Sequence, residues 1–96
     1  MRVRNVNGTV NHTCNCGDWL DHWKKFSDQS LPKFCPERGC LEKPELGAQV
    51  RKDDSTDTGL YIVPLCREHH AQNGKPLTID DTMKLVPANM CMPGNK

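Results

Sequence analysis

Apolar residues are sparse in this chain, and their spacing changes along it. Trp19, Leu20, Trp23 and Phe26 fall at i, i+1, i+4 and i+7, which lines one face of a helix. Asp18 stands just before them, where its carboxylate can accept a hydrogen bond from a free amide of the first turn. The predicted helix therefore opens at Asp18 and ends near residues 27–30, ahead of Pro32. The next pattern is strand-like. Leu46 to Lys52 and then Leu60-Tyr61-Ile62-Val63 flank the polar run Asp53 to Gly59, which predicts a hairpin whose second strand stops at Pro64. Leu65 to Gln72 reads as a short helix closed by Asn73-Gly74.

The remaining segments carry weaker patterns. Residues 1–13 are polar without apolar periodicity and are expected to be an extended or frayed arm. Residues 33–44, with Pro36, Gly39 and Pro44, should be loop. Leu77, Ile79, Leu85 and Val86, around Asp80-Asp81, suggest two short extended pieces. Helix, loop, hairpin, helix and extended tail make a small α+β fold in one domain. It divides into an N-terminal arm and amphipathic helix (1–34), a finger (35–75) and an extended C-terminal tail (76–96).

Composition adds a constraint. Leu, Ile, Val and Phe supply only 18 of 96 residues, yet the net charge is +1, so the disorder signature of low hydrophobicity with high charge is incomplete. A chain this short has a marginal core unless something staples it. Six cysteines and four histidines are the available staple. No apolar run approaches the ~18 residues of a membrane span, and none near the start has signal-peptide length. The expected setting is the cytoplasm, without a membrane partner, where cysteines stay as thiols and bind metal.

Two cysteine-containing pairs flank the hairpin. Cys35 and Cys40 lie in the loop before it, with Gly39 letting the backbone turn back so both sulfurs can reach one ion. Cys66 and His69 lie after it, where a spacing of two residues at a helix start puts both side chains on one side of the first turn. Three thiolates and an imidazole match the closed tetrahedral set of structural Zn²⁺. A Cys35–Cys40 disulfide is the competing reading. A second set, Cys14, Cys16, His22 and Cys91, could hold another zinc and tie the chain ends together. A disulfide from Cys14 or Cys16 to Cys91, or free thiols, are its alternatives, and a histidine on an apolar helix face is more commonly packed against backbone.

The segment Tyr61-Ile62-Val63-Pro64-Leu65-Cys66-Arg67-Glu68-His69-His70-Ala71-Gln72-Asn73-Gly74-Lys75 resembles the closing part of zinc-containing HNH (His-Me finger) nucleases. In that family a strand ending in Val-Pro-Leu-Cys leads into a helix carrying a zinc ligand followed at once by His. The resemblance covers roughly residues 34–75 and implies a ββα unit set in a treble-clef zinc knuckle. It also implies a general-base His at the position of Gln49, an Asn near Tyr61 and a catalytic-cation ligand at His70. Only the last of these is present here, and an amide cannot take a proton from water at neutral pH. Residues 35–70 hold five basic and seven acidic side chains, a poor surface for phosphate backbones.

The expected function is therefore a zinc-binding HNH-like module without nuclease activity, acting as a structural or binding unit. No catalytic residue is assigned, and its partner would be a protein or, weakly, a nucleic acid. A metal-dependent HNH-type endonuclease and a secreted disulfide-stabilised protein are the alternatives. Trp19, Trp23 and Phe26 are expected to be core, not a base-stacking platform. Asp53, Asp54 and Asp57 are expected to form a solvated turn, not a calcium loop.

Overall fold

The computed structural model describes residues 1–6, 18–53 and 56–90. In chain order the elements are β1 (Arg2–Asn5), α1 (Trp19–Ser27), β2 (Leu46–Lys52), β3 (Tyr61–Leu65), α2 (Arg67–His70), β4 (Pro76–Thr78), β5 (Val86–Pro87) and a 3-10 turn, Ala88–Met90. The five strands form one antiparallel sheet in the order β4-β1-β2-β3-β5. The fold is a small α+β domain, as its layout predicts. Among the described residues no helix is long and apolar enough to cross a membrane.

Register sorts the side chains onto two faces, because directly opposed residues share a face and neighbours along a strand do not. Ala48 opposes Val63, Leu46 opposes Leu65 and Val50 lies opposite both Tyr61 and Asn5. With Val3 and Leu77 these residues face the finger loop, and a core cluster joins Val3, Ala48, Val50, Val63, Leu65 and Leu77 to Cys35, Cys66 and Ile79. Gly47 opposes Pro64, Gln49 opposes Ile62 and Ile62 opposes Val86. That second face carries α1, where Trp23 is fully buried against Ile62, Val86 and Ala88.

Helix α1 starts as expected, with Asp18 Oδ1 accepting from the Asp21 amide at 2.8 Å. It ends at Asp28, whose φ of 61° breaks the helical run ahead of Pro32. The helix sits very close to the sheet. A Cβ built on Gly47 would lie 2.4 Å from both the Leu20 nitrogen and the Trp19 carbonyl carbon, so glycine is required there by contact alone.

Two expectations need correction. Residues 2–5 are not an arm but strand β1, which lies between β4 and β2. The strand alternates exposed Arg2 and Arg4 with buried Val3 and Asn5, and the polar Asn5 disguises its inward position. The second hairpin strand does not stop at Pro64 but runs through it to Leu65. Leu65 oxygen accepts from the Glu45 amide, so residues 63 and 65 point their backbone groups at β2 and Pro64 points away. β5 pairs only with Tyr61 and Ile62, so the missing N–H of Pro64 removes no ladder bond. The two short extended pieces expected after residue 76 are β4 and β5, which lie at opposite ends of the sheet.

Replacing Gly47 by Ala should force α1 off β2 and lower stability by about 1–3 kcal/mol, the usual range for overpacking. Both tryptophans lie on α1. Urea unfolding followed by their fluorescence therefore reads the change directly, and an unchanged midpoint would show that the helix is not seated on this strand.

Candidate metal centre

The finger loop is held open for its cysteines by backbone bonds at both ends. The Cys35 amide donates to Glu42 oxygen at 2.7 Å, closing the loop, and the Cys40 amide donates to Glu37 oxygen at 3.0 Å. Gly39 has φ +76°, a left-handed conformation that brings Cys40 back beside Cys35. The loop is also clamped to β4. Arg38 donates its amide to Thr78 oxygen at 2.8 Å, Thr78 donates its amide to Glu37 Oε2 at 2.9 Å, and Glu37 bridges to Ile79. Sequence reasoning missed Glu37 because its role is to accept from a backbone amide 41 residues away.

On the other side of the site, Cys66 is the N-cap of α2, its sulfur accepting from the His69 amide at 3.4 Å. The helix places Cys66 and His69 together, as their spacing predicts. Cys35, Cys40, Cys66 and His69 thus converge, with one ligand atom from each lying within 4.8 Å of all the others. Cys40 Sγ lies 3.9 Å from Cys66 Sγ, and Cys35 Sγ lies 3.7 Å from His69 Nδ1. Metal–ligand lengths in tetrahedral zinc sites require edges of about 3.8 Å between sulfurs and about 3.6 Å between sulfur and nitrogen. Both contacts match those edges. The Cys66 Sγ to His69 Nδ1 distance of 3.1 Å is a hydrogen-bond contact that an ion between them would widen by roughly half an ångström. No disulfide joins the three described cysteines.

Burial pushes the Cys35 thiol up to about 12, with the neighbouring Cys66 adding to the rise and backbone amides opposing it. The Cys35 thiol is therefore neutral on its own, whereas a coordinated cation would deprotonate it. The four groups can hold a metal ion and leave no coordination position for a substrate.

Asn5 is the second residue that sequence reasoning missed. It is fully buried, and its Nδ2 donates to His69 oxygen at 2.7 Å and His70 oxygen at 3.1 Å. Those carbonyls end α2, so a β1 side chain fixes the helix that carries the imidazole.

Other residues singled out in the sequence fall elsewhere. His70 is half-buried on α2, and burial, then the charge of Arg67, hold its imidazole below the usual range. Asn5 places α2 on the finger face, while Gln49, nearly buried, shares the α1 face with Ile62. Gln49 therefore faces α1, whereas the backbone carbonyl of His70 is bonded by Asn5 from the finger face. Tyr61 donates its hydroxyl to Asp57, which also accepts from the Gly59 amide and lies 3.4 Å from Lys52 Nζ. These contacts, led by that of Tyr61, hold the Asp57 carboxyl below its ordinary value.

His22 is fully buried, with Nε2 3.0 Å from Pro87 oxygen and its ring between those of Trp19 and Phe26. Cys14, Cys16 and Cys91 lie outside the described residues, as does Asp54. Comparison with known proteins finds no matching family model, no matching curated protein and no matching solved structure.

Asn5→Ala should lose both bonds to α2, leaving His69 oxygen with the Gln72 amide alone and depriving His70 oxygen of its Asn5 donor, and lower stability by about 1–3 kcal/mol. Urea unfolding of the metal-loaded protein measures this, and retained stability would show that α2 is held by the ligands alone.

Proposed function

We propose that this domain is a zinc-stabilised, HNH-like treble-clef module of a reducing compartment such as the cytoplasm, acting as a structural or binding unit without nuclease activity. The closed set of three thiols and one imidazole carries the reading. Soft thiolates select zinc over hard cations, and four protein ligands are the mark of a structural site. The cysteine–histidine pairs bracket the hairpin, as the resemblance to HNH proteins implies, and that arrangement supports the family's shape. The chemistry is less well supported. The position of the family's general base holds Gln49 here, which shares the α1 face with Ile62, and an amide cannot take a proton from water. The acidic balance of residues 35–70 favours a protein partner over nucleic acid.

Zinc should bind at one equivalent to the cluster and be needed for folding. Cys66→Ser should lose both the ion and the cooperative melt, since structural zinc in small fingers supplies on the order of 10 kcal/mol. Native mass spectrometry with thermal unfolding tests this. Stoichiometric zinc at the cluster and a native melt in Cys66→Ser would remove the assignment.

Neither the unmodified protein nor Gln49→His should nick supercoiled plasmid with Mg²⁺ or Mn²⁺ above background. Nicking by the unmodified protein that disappears in His70→Ala would instead establish the metal-dependent endonuclease.

A further inference from the structure

The sheet face that carries α1 also carries three arginines on its neighbouring strands. Arg4 and Arg51 are directly opposed in the β1–β2 ladder, and Arg2 lies two residues from Arg4 on the same face. All three are exposed. Like charges directly opposed across a sheet are destabilising, so the Arg4–Arg51 pair is a local conflict in an otherwise consistent strand. One carboxylate answers it in part. Asp53 lies 3.6 Å from Arg2 and 3.4 Å from Arg4, while Arg51 has no carboxylate within salt-bridge distance among the described residues. Arg4 also donates to Gly74 oxygen at 2.9 Å, which steadies its guanidinium.

We infer that Arg2, Arg4 and Arg51 bind the dianionic phosphate group of a ligand. Three guanidiniums and Asp53 leave a local charge of about +2, which a phosphate monoester balances and a single carboxylate does not. A guanidinium presents a planar fork of donors that fits phosphate oxygens in pairs, and Arg4 and Arg51 are directly opposed residues on the same face of the β1–β2 ladder. Asp53 shows that an oxyanion is already accommodated between Arg2 and Arg4. Nucleic acid is disfavoured as the source: the domain carries nearly as many acidic as basic residues, and β1, β2 and β4 contain no aromatic side chain for base stacking. The inference does not depend on the metal.

The test is thermal unfolding of the zinc-loaded protein in inorganic phosphate against chloride at matched ionic strength. A saturable rise specific to phosphate is expected for the unmodified protein, with binding weakened roughly tenfold or more in Arg51→Gln. Without phosphate, Arg51→Gln should melt at the same temperature or higher, because the like-charge pair is gone. Arg2→Gln provides a second variant if Arg51→Gln does not fold, and zinc content measured alongside separates loss of the anion site from loss of the metal. A serine-phosphorylated peptide and its unphosphorylated form distinguish the sources. Binding of the phosphopeptide at least tenfold tighter than inorganic phosphate indicates a protein-borne group, and equal binding indicates free phosphate or a small ester. An equal rise in chloride, or an undiminished phosphate effect in Arg51→Gln, would overturn the site. Binding of duplex DNA through these arginines with no response to phosphate would overturn it in favour of a nucleic-acid surface.

Discussion

The hairpin β2–β3 has to be covered on both faces, and the rest of the molecule is arranged around that requirement. Ala48, Val50, Val63 and Leu65 point one way, while Gly47, Gln49, Ile62 and Pro64 point the other. With so few aliphatic residues in the chain, neither cover can be a second full layer of secondary structure. On one side the cover is a single helix whose aromatic face buries Trp23. On the other it is a loop, and a loop lacks the regular hydrogen bonding that would fix it. Bonds from Cys35 to Glu42, from Arg38 to Thr78 and from the Thr78 amide to the Glu37 carboxylate hold it, and the convergence of Cys35, Cys40, Cys66 and His69 places the cluster over the hairpin.

Polar side chains do much of the joining that apolar contacts would do in a larger domain. The segment before β5 is irregular, yet α1 and the residues just after it grip it. Trp23 Nε1 donates to Lys84 oxygen at 2.8 Å, Gln29 Nε2 donates to Thr82 oxygen at 2.9 Å, and the Lys84 amide donates to Gln29 Oε1 at 3.0 Å. His22 meets Pro87 oxygen in the same way. Among the described residues no buried side-chain nitrogen or oxygen is left without a hydrogen-bond partner. A small core tolerates these polar groups because each is satisfied, and each bond fixes a backbone position that ladder pairing does not reach.

This division explains which parts of the fold are legible in the sequence. The helix from Trp19, its Asp18 cap, the β2 strand and the four ligands all follow from short-range pattern: periodicity, a capping side chain and ligand spacing. β1 is hidden because its second inward position is Asn5, whose burial makes sense only once the end of α2 stands beside it. Pro64 reads as a strand terminator unless one knows that β5 stops short of it. Glu37 is invisible for the same reason, since its partner amide belongs to a strand far along the chain. In each case the missing information is a long-range backbone partner.

The relation between shape and chemistry turns on the parity of one strand. Successive residues of β2 alternate between the finger face and the α1 face, so a shift of a single position exchanges them. A sequence motif can mark where a catalytic residue would stand along the strand, but it does not reveal which face that position occupies. Here the pairing of Gln49 with Ile62 puts it under α1, while the α2 helix that bears His70 is tied to the opposite face by Asn5. A general base and a cation ligand of the HNH kind would have to meet on one face of the sheet. The four ligands make a weaker demand, needing only that the loop and the start of α2 meet on one side. That condition is satisfied, and it is compatible with a metal that holds the fold together while taking no part in a reaction.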